Sequence, residues 1–167
     1  MKIEELGVMD LASEPRHSLG DHVPFFFYRY LSLFAVAESK GRQAEEALRS
    51  GGRKVGVQLV KGMMYRDIDA LSQHFAENGQ GIVSLEKREG AFTWLRLEEC
   101  ATCSGLPPMQ KALCYFDGGI LAGALEALSR STEPYAAYES ECAGLGNSSC
   151  LFKIGPRSQM PECEEGE

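Results

Sequence analysis

The sequence lacks most of the features that announce a function directly. It has no cluster of basic residues, and seventeen Lys plus Arg against twenty-four Asp plus Glu leave a formal net charge of -7. Direct nucleic-acid binding, which rests on neutralising phosphates, is therefore not expected. Long hydrophobic runs are missing as well: the most apolar stretch, Tyr30 to Ala37, falls far short of the roughly 20 residues needed to cross a bilayer. The opening Met1-Lys2-Ile3-Glu4-Glu5 does not have the basic-then-apolar pattern of a secretory signal. The chain is expected in the cytoplasm, without a membrane partner. Acid–base machinery is sparse, with only His17, His22 and His74. No phosphate-binding glycine loop, nucleophile elbow, HExxH helix or dinucleotide fingerprint occurs. A binding role is expected ahead of an enzymatic one.

What the chain does have is enough apolar material for a core and an unusual number of thiols. At 167 residues with 44% hydrophobic and 25% charged, it fits one globular domain that needs no disulfide support. Six cysteines in a reducing compartment read as metal ligands or redox groups before structural disulfides.

Periodicity divides the chain. Residues 1–22 are weakly patterned and read as an arm, ending in the turn-and-cap cluster Ser18-Leu19-Gly20-Asp21. The run from Pro24 to Ser39 is apolar nearly all round and predicts a buried element, with Phe25, Phe26 and Phe27 as core or dimer interface. Gln43 to Arg49 reads as a short polar helix closed by Gly51-Gly52, and Val55, Leu59 and Val60 mark another short helix. Ile68, Leu71 and Phe75 recur at helical spacing before Asn78-Gly79. From Gly81 the period becomes two, and Ile82–Leu85 and Phe92–Leu97 flank the turn Glu89-Gly90 as a β-hairpin. Gln110 to Arg130 reads as the strongest helix, with Gly119 and Gly123 placed to admit a close neighbour. Tyr135–Cys142 and Cys150–Ile154 predict a second hairpin, and 156–167 an acidic disordered tail. The expected class is α+β, an antiparallel sheet of two hairpins covered by helices, in a domain over 23–155.

Chemistry concentrates in Glu139-Ser140-Glu141-Cys142 and Cys150. Two cysteines at facing ends of a hairpin can reach one ion, and zinc takes four thiolate, imidazole or carboxylate ligands at about 2.0–2.3 Å. Cys142, Cys150 and one glutamate supply three ligands. Cys114, near a helix N-terminus that favours a thiolate, supplies the fourth. The blander alternative makes Cys142 and Cys150 small buried hydrophobes. Cys100-Ala101-Thr102-Cys103 is a separate CxxC in a loop, readable as incidental, as a redox-sensing pair, or as part of another metal site. Cys163 reads as free in the tail.

Cys114 leading a helix with Gly119 and Gly123, followed by Glu139-x-x-Cys142, Gly146, Cys150 and Leu151-Phe152-Lys153-Ile154, resembles the signature of the 4-vinyl-reductase domain family, in its archaeal stand-alone form. The likeness spans Gly41 to Ile154 and is sharpest from Cys114 onward. It implies a fold shared with a haem-based nitric-oxide sensor and a vesicle-tethering subunit of Golgi transport, a homodimer, and a small-molecule pocket beside a zinc site. It also implies Cys114, Glu139, Cys142 and Cys150 as the zinc ligands. Glu141 rivals Glu139, since only one register can face the metal, and replacement of Glu139 by Cys100 or Cys103 stays open. By the same resemblance His74, Phe92, Trp94 and Tyr138 would line a pocket for a small hydrophobic or aromatic ligand. Glu98 stands where aromatic-sensing relatives carry a Trp, which argues against a simple phenol. His74 has a plainer reading as a core or boundary histidine. The expected function is a zinc-containing binding or sensing domain that signals by protein contact. Its rivals are an accessory or reductase-like factor in tetrapyrrole or cofactor metabolism, and a thiol redox sensor using Cys100 and Cys103.

Overall fold

The computed structural model describes residues 28–29, 31–33, 42–62 and 65–160. The readings made for 1–22, for Phe25 to Phe27 and for Cys163 lie outside them. Tyr28, Arg29 and 31–33 are helical. The elements that follow are helices α1 (Arg42–Lys61) and α2 (Ile68–Glu77), strands β1 (Ile82–Glu89) and β2 (Phe92–Glu98), helix α3 (Tyr115–Leu128), and strands β3 (Tyr135–Glu141) and β4 (Cys150–Pro156). All strand pairs are antiparallel in the order β1-β2-β4-β3. The α+β expectation holds.

Local chemistry accounts for the boundaries. Asp67 caps α2 by accepting a 2.8 Å hydrogen bond from the Ala70 N–H, and Gly79 at φ +64° turns the chain away from it. Gly90 at φ +58° makes the tight β1–β2 connection. Leu95 and Leu97 pair with Phe152 and Cys150, and all four are buried. Trp94 and Tyr138 both pair with Lys153, whose ammonium lies 3.9 Å from the Phe92 ring centroid. Lys87 sits 4.3 Å over Trp94. These cations cover aromatic surface that the sheet would otherwise show to water.

The glycine pair Gly51-Gly52 does not end a helix. A single helix runs through it from Arg42 to Lys61, because the glycines serve packing. A Cβ on Gly52 would strike the Phe116 carbonyl and one on Gly56 the Ile120 carbonyl. Reciprocally, a Cβ on Gly119 or Gly123 would strike the Arg49 or Arg53 carbonyl. Two glycines four apart on each helix thus let α1 and α3 cross backbone to backbone. The close neighbour expected for Gly119 and Gly123 is α1. Bidentate pairing of Arg53 with Glu126 at 2.8 and 2.7 Å borders the crossing.

Helix α3 is shorter than the 110–130 prediction. Gln110 adopts φ +60°, and Cys114 occupies the N-cap position with no side-chain capping bond. The helix is buried from Tyr115 to Leu125 except at Phe116, held between α1 and the sheet. At the other end, β4 runs through Pro156 into a 3-10 turn over Arg157–Gln159, so ordered structure continues past the 155 boundary expected for the domain. No helix among the described residues is long and apolar enough to cross a membrane.

Candidate metal centre

Three segments deliver five cysteines to one buried point. The first is the loop after β2. Glu99 takes φ +50°, and the Ser104 N–H donates to the Cys100 carbonyl at 2.9 Å. That single helical turn sets Cys100 and Cys103, three apart, on one side. Arg29 clamps the turn, donating through Nε to the Ala101 carbonyl and through Nη2 to the Ser104 carbonyl, both at 2.6 Å. The second segment is the start of α3, which carries Cys114. The third is the β3–β4 connection, where the Cys142 carbonyl accepts from the N–H groups of Leu145 and Asn147 at 2.9 Å and Gly146 takes φ +94°. Since Leu97 pairs with Cys150, the end of β2 and the start of β4 lie side by side, and the CxxC loop reaches the second hairpin.

The Sγ atoms of Cys100 and Cys114 are 3.5 Å apart, those of Cys103 and Cys150 3.3 Å, of Cys114 and Cys150 3.6 Å, and of Cys114 and Cys142 3.9 Å. All five thiols are free and buried. Glu139 accepts a 3.0 Å hydrogen bond from the Cys114 N–H through Oε2, while its Oε1 is buried with no hydrogen-bond partner. Burial, followed by the charge of Cys142, pushes the Glu139 carboxyl up to about 8. An uncompensated buried carboxylate oxygen beside thiols is costly in an empty protein and ordinary beside a cation. Glu141 takes another direction. A register shift separates it from Glu139, and it accepts from the Arg96 guanidinium at 2.8 Å.

Two four-donor sets lie close enough to hold a metal ion: Cys114, Glu139, Cys142 and Cys150, and Cys100, Cys103, Cys114 and Cys150, with all donor atoms within 4.8 Å in each. The structure therefore brings together the four residues predicted as ligands and adds the CxxC pair, which sequence spacing alone leaves apart. Within the sulfur group, hydrogen bonds from neighbouring thiols pull Cys100 and Cys103 toward the thiolate and push Cys114 and Cys150 the other way.

A supporting layer lies beyond what the sequence reading anticipates. Asp117, fully buried, accepts a 2.6 Å hydrogen bond from the Thr102 hydroxyl between the two CxxC cysteines. Burial raises its carboxyl to about 7. Its signal in the sequence is a lone carboxylate within the apolar run of α3.

The predicted pocket residues do not form one wall. His74 packs edge-on to Tyr65 at 5.0 Å, and burial lowers its pKa. Phe92 meets Trp94 edge-on at 6.1 Å, and Tyr138 is 41% exposed. Phe92 lines a cleft of about 420 Å³ with Ile68, Leu125, Leu128, Arg66 and Arg88. A second cleft of about 300 Å³ opens between the loops carrying Cys103 and Cys142, bounded by Leu106, Pro108, Ala143 and Asn147.

Fold and site together define an α+β domain, related to ligand-binding sensory domains, with a buried thiol-carboxylate cluster that could hold a metal. The family is the vinyl-4-reductase domain, whose model matches residues 94–156, the stretch from β2 through β4 that holds every residue of the cluster. An uncharacterized protein of Methanocaldococcus jannaschii is 28% identical over 144 residues, covering 84% of this chain and 80% of that relative. Among solved structures, a vinyl-4-reductase family protein from the same archaeon superposes with a TM-score of 0.59 at 18% identity, over 83% of this chain and 84% of that one. The phenol-responsive sensory domain of the transcription activator PoxR, solved with phenol, gives 0.62 at 17% identity, over 83% and 77%. The two further fold likenesses expected also appear. A trafficking protein particle complex subunit from Naegleria fowleri gives 0.58 at 16% identity over 83% and 95%, and an H-NOX protein from S. oneidensis gives 0.54 at 11% over 88% and 85%.

Proposed function

We propose that this vinyl-4-reductase-type domain is a zinc-containing small-molecule binding or sensing module, homodimeric, in which Cys114, Glu139, Cys142 and Cys150 hold the ion. The observation that carries the reading is the convergence of buried free thiols on a carboxylate whose Oε1 has no other partner. An ion there ties the β3–β4 connection to the start of α3. Four protein ligands, three of them sulfur, make a closed site suited to holding structure, with no open position for hydrolysis. The cleft at Phe92 has an apolar floor and two arginines at its rim, a pattern that suits an aromatic or aliphatic body carrying an acidic group. Phe92 is the predicted pocket residue that this reading keeps.

Elemental analysis tests the metal: zinc is expected with the purified protein, and Cys142→Ala or Cys150→Ala should lower both zinc content and melting temperature. Native mass spectrometry of protein from its own host tests the ligand. Trp94 is the sole tryptophan, so its fluorescence reports occupancy of the adjoining cleft, and Phe92→Ala should weaken the response. Ligand-dependent NADPH oxidation would instead move the function to reductive tetrapyrrole or cofactor chemistry. A redox reading draws on the 3.3 Å approach of Cys103 to Cys150. It requires a reversible disulfide in the metal-free protein that Cys103→Ser abolishes.

A further inference from the structure

The zinc set proposed above uses three of the five buried thiols and leaves Cys100 and Cys103 without a task. Yet both lie against that set, Cys100 3.5 Å from Cys114 and Cys103 3.3 Å from Cys150. We propose that the centre is dinuclear: two thiophilic divalent ions, one held by Cys114, Glu139, Cys142 and Cys150 and the other by Cys100, Cys103, Cys114 and Cys150, with the Cys114 and Cys150 thiolates bridging. The proposal rests on the first quartet being a metal site and extends it.

Three observations lead there. First, the two quartets share two sulfurs, Cys114 and Cys150, that are themselves 3.6 Å apart. Two tetrahedra joined along a common edge need that arrangement. With metal–sulfur bonds of about 2.3 Å, the edge of a tetrahedral site is roughly 3.8 Å, and the recorded separations of 3.3 to 3.9 Å fall around it in both quartets. Second, the donors are set in advance. Cys100 and Cys103 sit on one hydrogen-bonded turn, fixed from outside by Arg29 on the Ala101 and Ser104 carbonyls. Third, charge permits it. One dication among three thiolates and a carboxylate leaves two net negative charges. A second dication that displaces the protons of Cys100 and Cys103 leaves the same net charge, so the buried site is no more highly charged with two ions than with one.

An iron–sulfur cluster is a poorer fit, because inorganic sulfide must stand between the metals and spread the cysteines apart. Donor atoms within 4.8 Å of one another leave no such space. The second ion would also give the loop clamp a role: by fixing Cys100 and Cys103 it would couple the helical segment at Arg29 to the metal centre.

The test uses the full chain loaded with zinc or cadmium. Elemental analysis and native mass spectrometry are expected to give two ions per chain, and cadmium NMR two resonances. Cys100→Ser combined with Cys103→Ser should reduce the count to one and keep one resonance. Glu139→Gln combined with Cys142→Ser should also leave one ion, giving the other resonance. One ion in the wild type that survives Cys100→Ser/Cys103→Ser would overturn the second site and leave the first. One ion that survives only Glu139→Gln/Cys142→Ser would overturn both assignments. No ion at all would overturn the proposed function itself. Because the wild-type count and spectrum suffice for the decision, a variant that fails to fold does not rescue the idea.

Discussion

Gly52→Ala and Gly51→Ala are adjacent changes in one helix that should act with opposite sign. A methyl on Gly52 points at backbone, against the Phe116 carbonyl and the Cα of Gly119, and neither can rotate aside. The helices must separate, undoing packing along the Gly52, Gly56, Gly119 and Gly123 crossing. Overpacking costs about 1–3 kcal/mol, and the helix-propensity gain of about 1 kcal/mol for Gly to Ala offsets part of it. A net loss of about 1–2 kcal/mol follows, or roughly 3–6 °C in melting temperature for a chain of this size. A methyl on Gly51 meets only the Phe116 ring edge at 4.0 Å, so that variant should gain about 0.5–1 kcal/mol. Urea unfolding of the two metal-loaded variants beside wild type measures both. Equal shifts, or a stabilised Gly52→Ala, would refute the backbone-contact account of the crossing. The result also bears on function, since this crossing sets α3 and with it Cys114.

Asp117→Asn should flatten the pH dependence of stability. The native carboxyl is raised to about 7 from an ordinary 3.8, so the native state keeps a proton that the unfolded chain gives up. That contribution is complete below about pH 4 and fades as pH rises through 7. The difference in urea midpoint between variant and wild type, at constant metal, should therefore shift in favour of Asn from pH 5 to 8; a constant difference would contradict it. Arg29→Ala removes two 2.6 Å charge-assisted bonds to the CxxC turn. It should cost about 2 kcal/mol and speed metal loss to a chelator by roughly tenfold, read by absorbance of a metal indicator; an unchanged release rate would contradict the clamp.

Most of the framework was legible because its signals are local. The alternation of Phe92 to Leu97 around Glu89-Gly90, and the spacing of Ile68, Leu71 and Phe75 before Asn78-Gly79, need only their neighbours to be read. Gly51-Gly52 was misread because a helix stop and a helix crossing use the same residue, and only the partner helix tells them apart. The sulfur centre was half visible. Glu139, Cys142 and Cys150 lie within one hairpin, but Cys100 and Cys103 join them only because β2 and β4 are sheet neighbours, with Leu97 opposite Cys150. The choice of Glu139 over Glu141 depends on a strand irregularity that composition does not signal. Asp117 passed unnoticed because its partner, Thr102, comes from another segment.

The central claim is that a bound metal holds the second hairpin to α3 and is therefore part of the fold's stability. Melting temperature and metal content measured on the same sample, before and after treatment with a strong chelator under reducing conditions, test it most directly. A site filled at about a thousand times its dissociation constant contributes about 4 kcal/mol, worth roughly 12 °C in a chain of this length. Loss of the metal together with a fall of that order, reversed by adding zinc back, is expected. Protein that carries no metal, or that melts unchanged once its metal is removed, would contradict the claim.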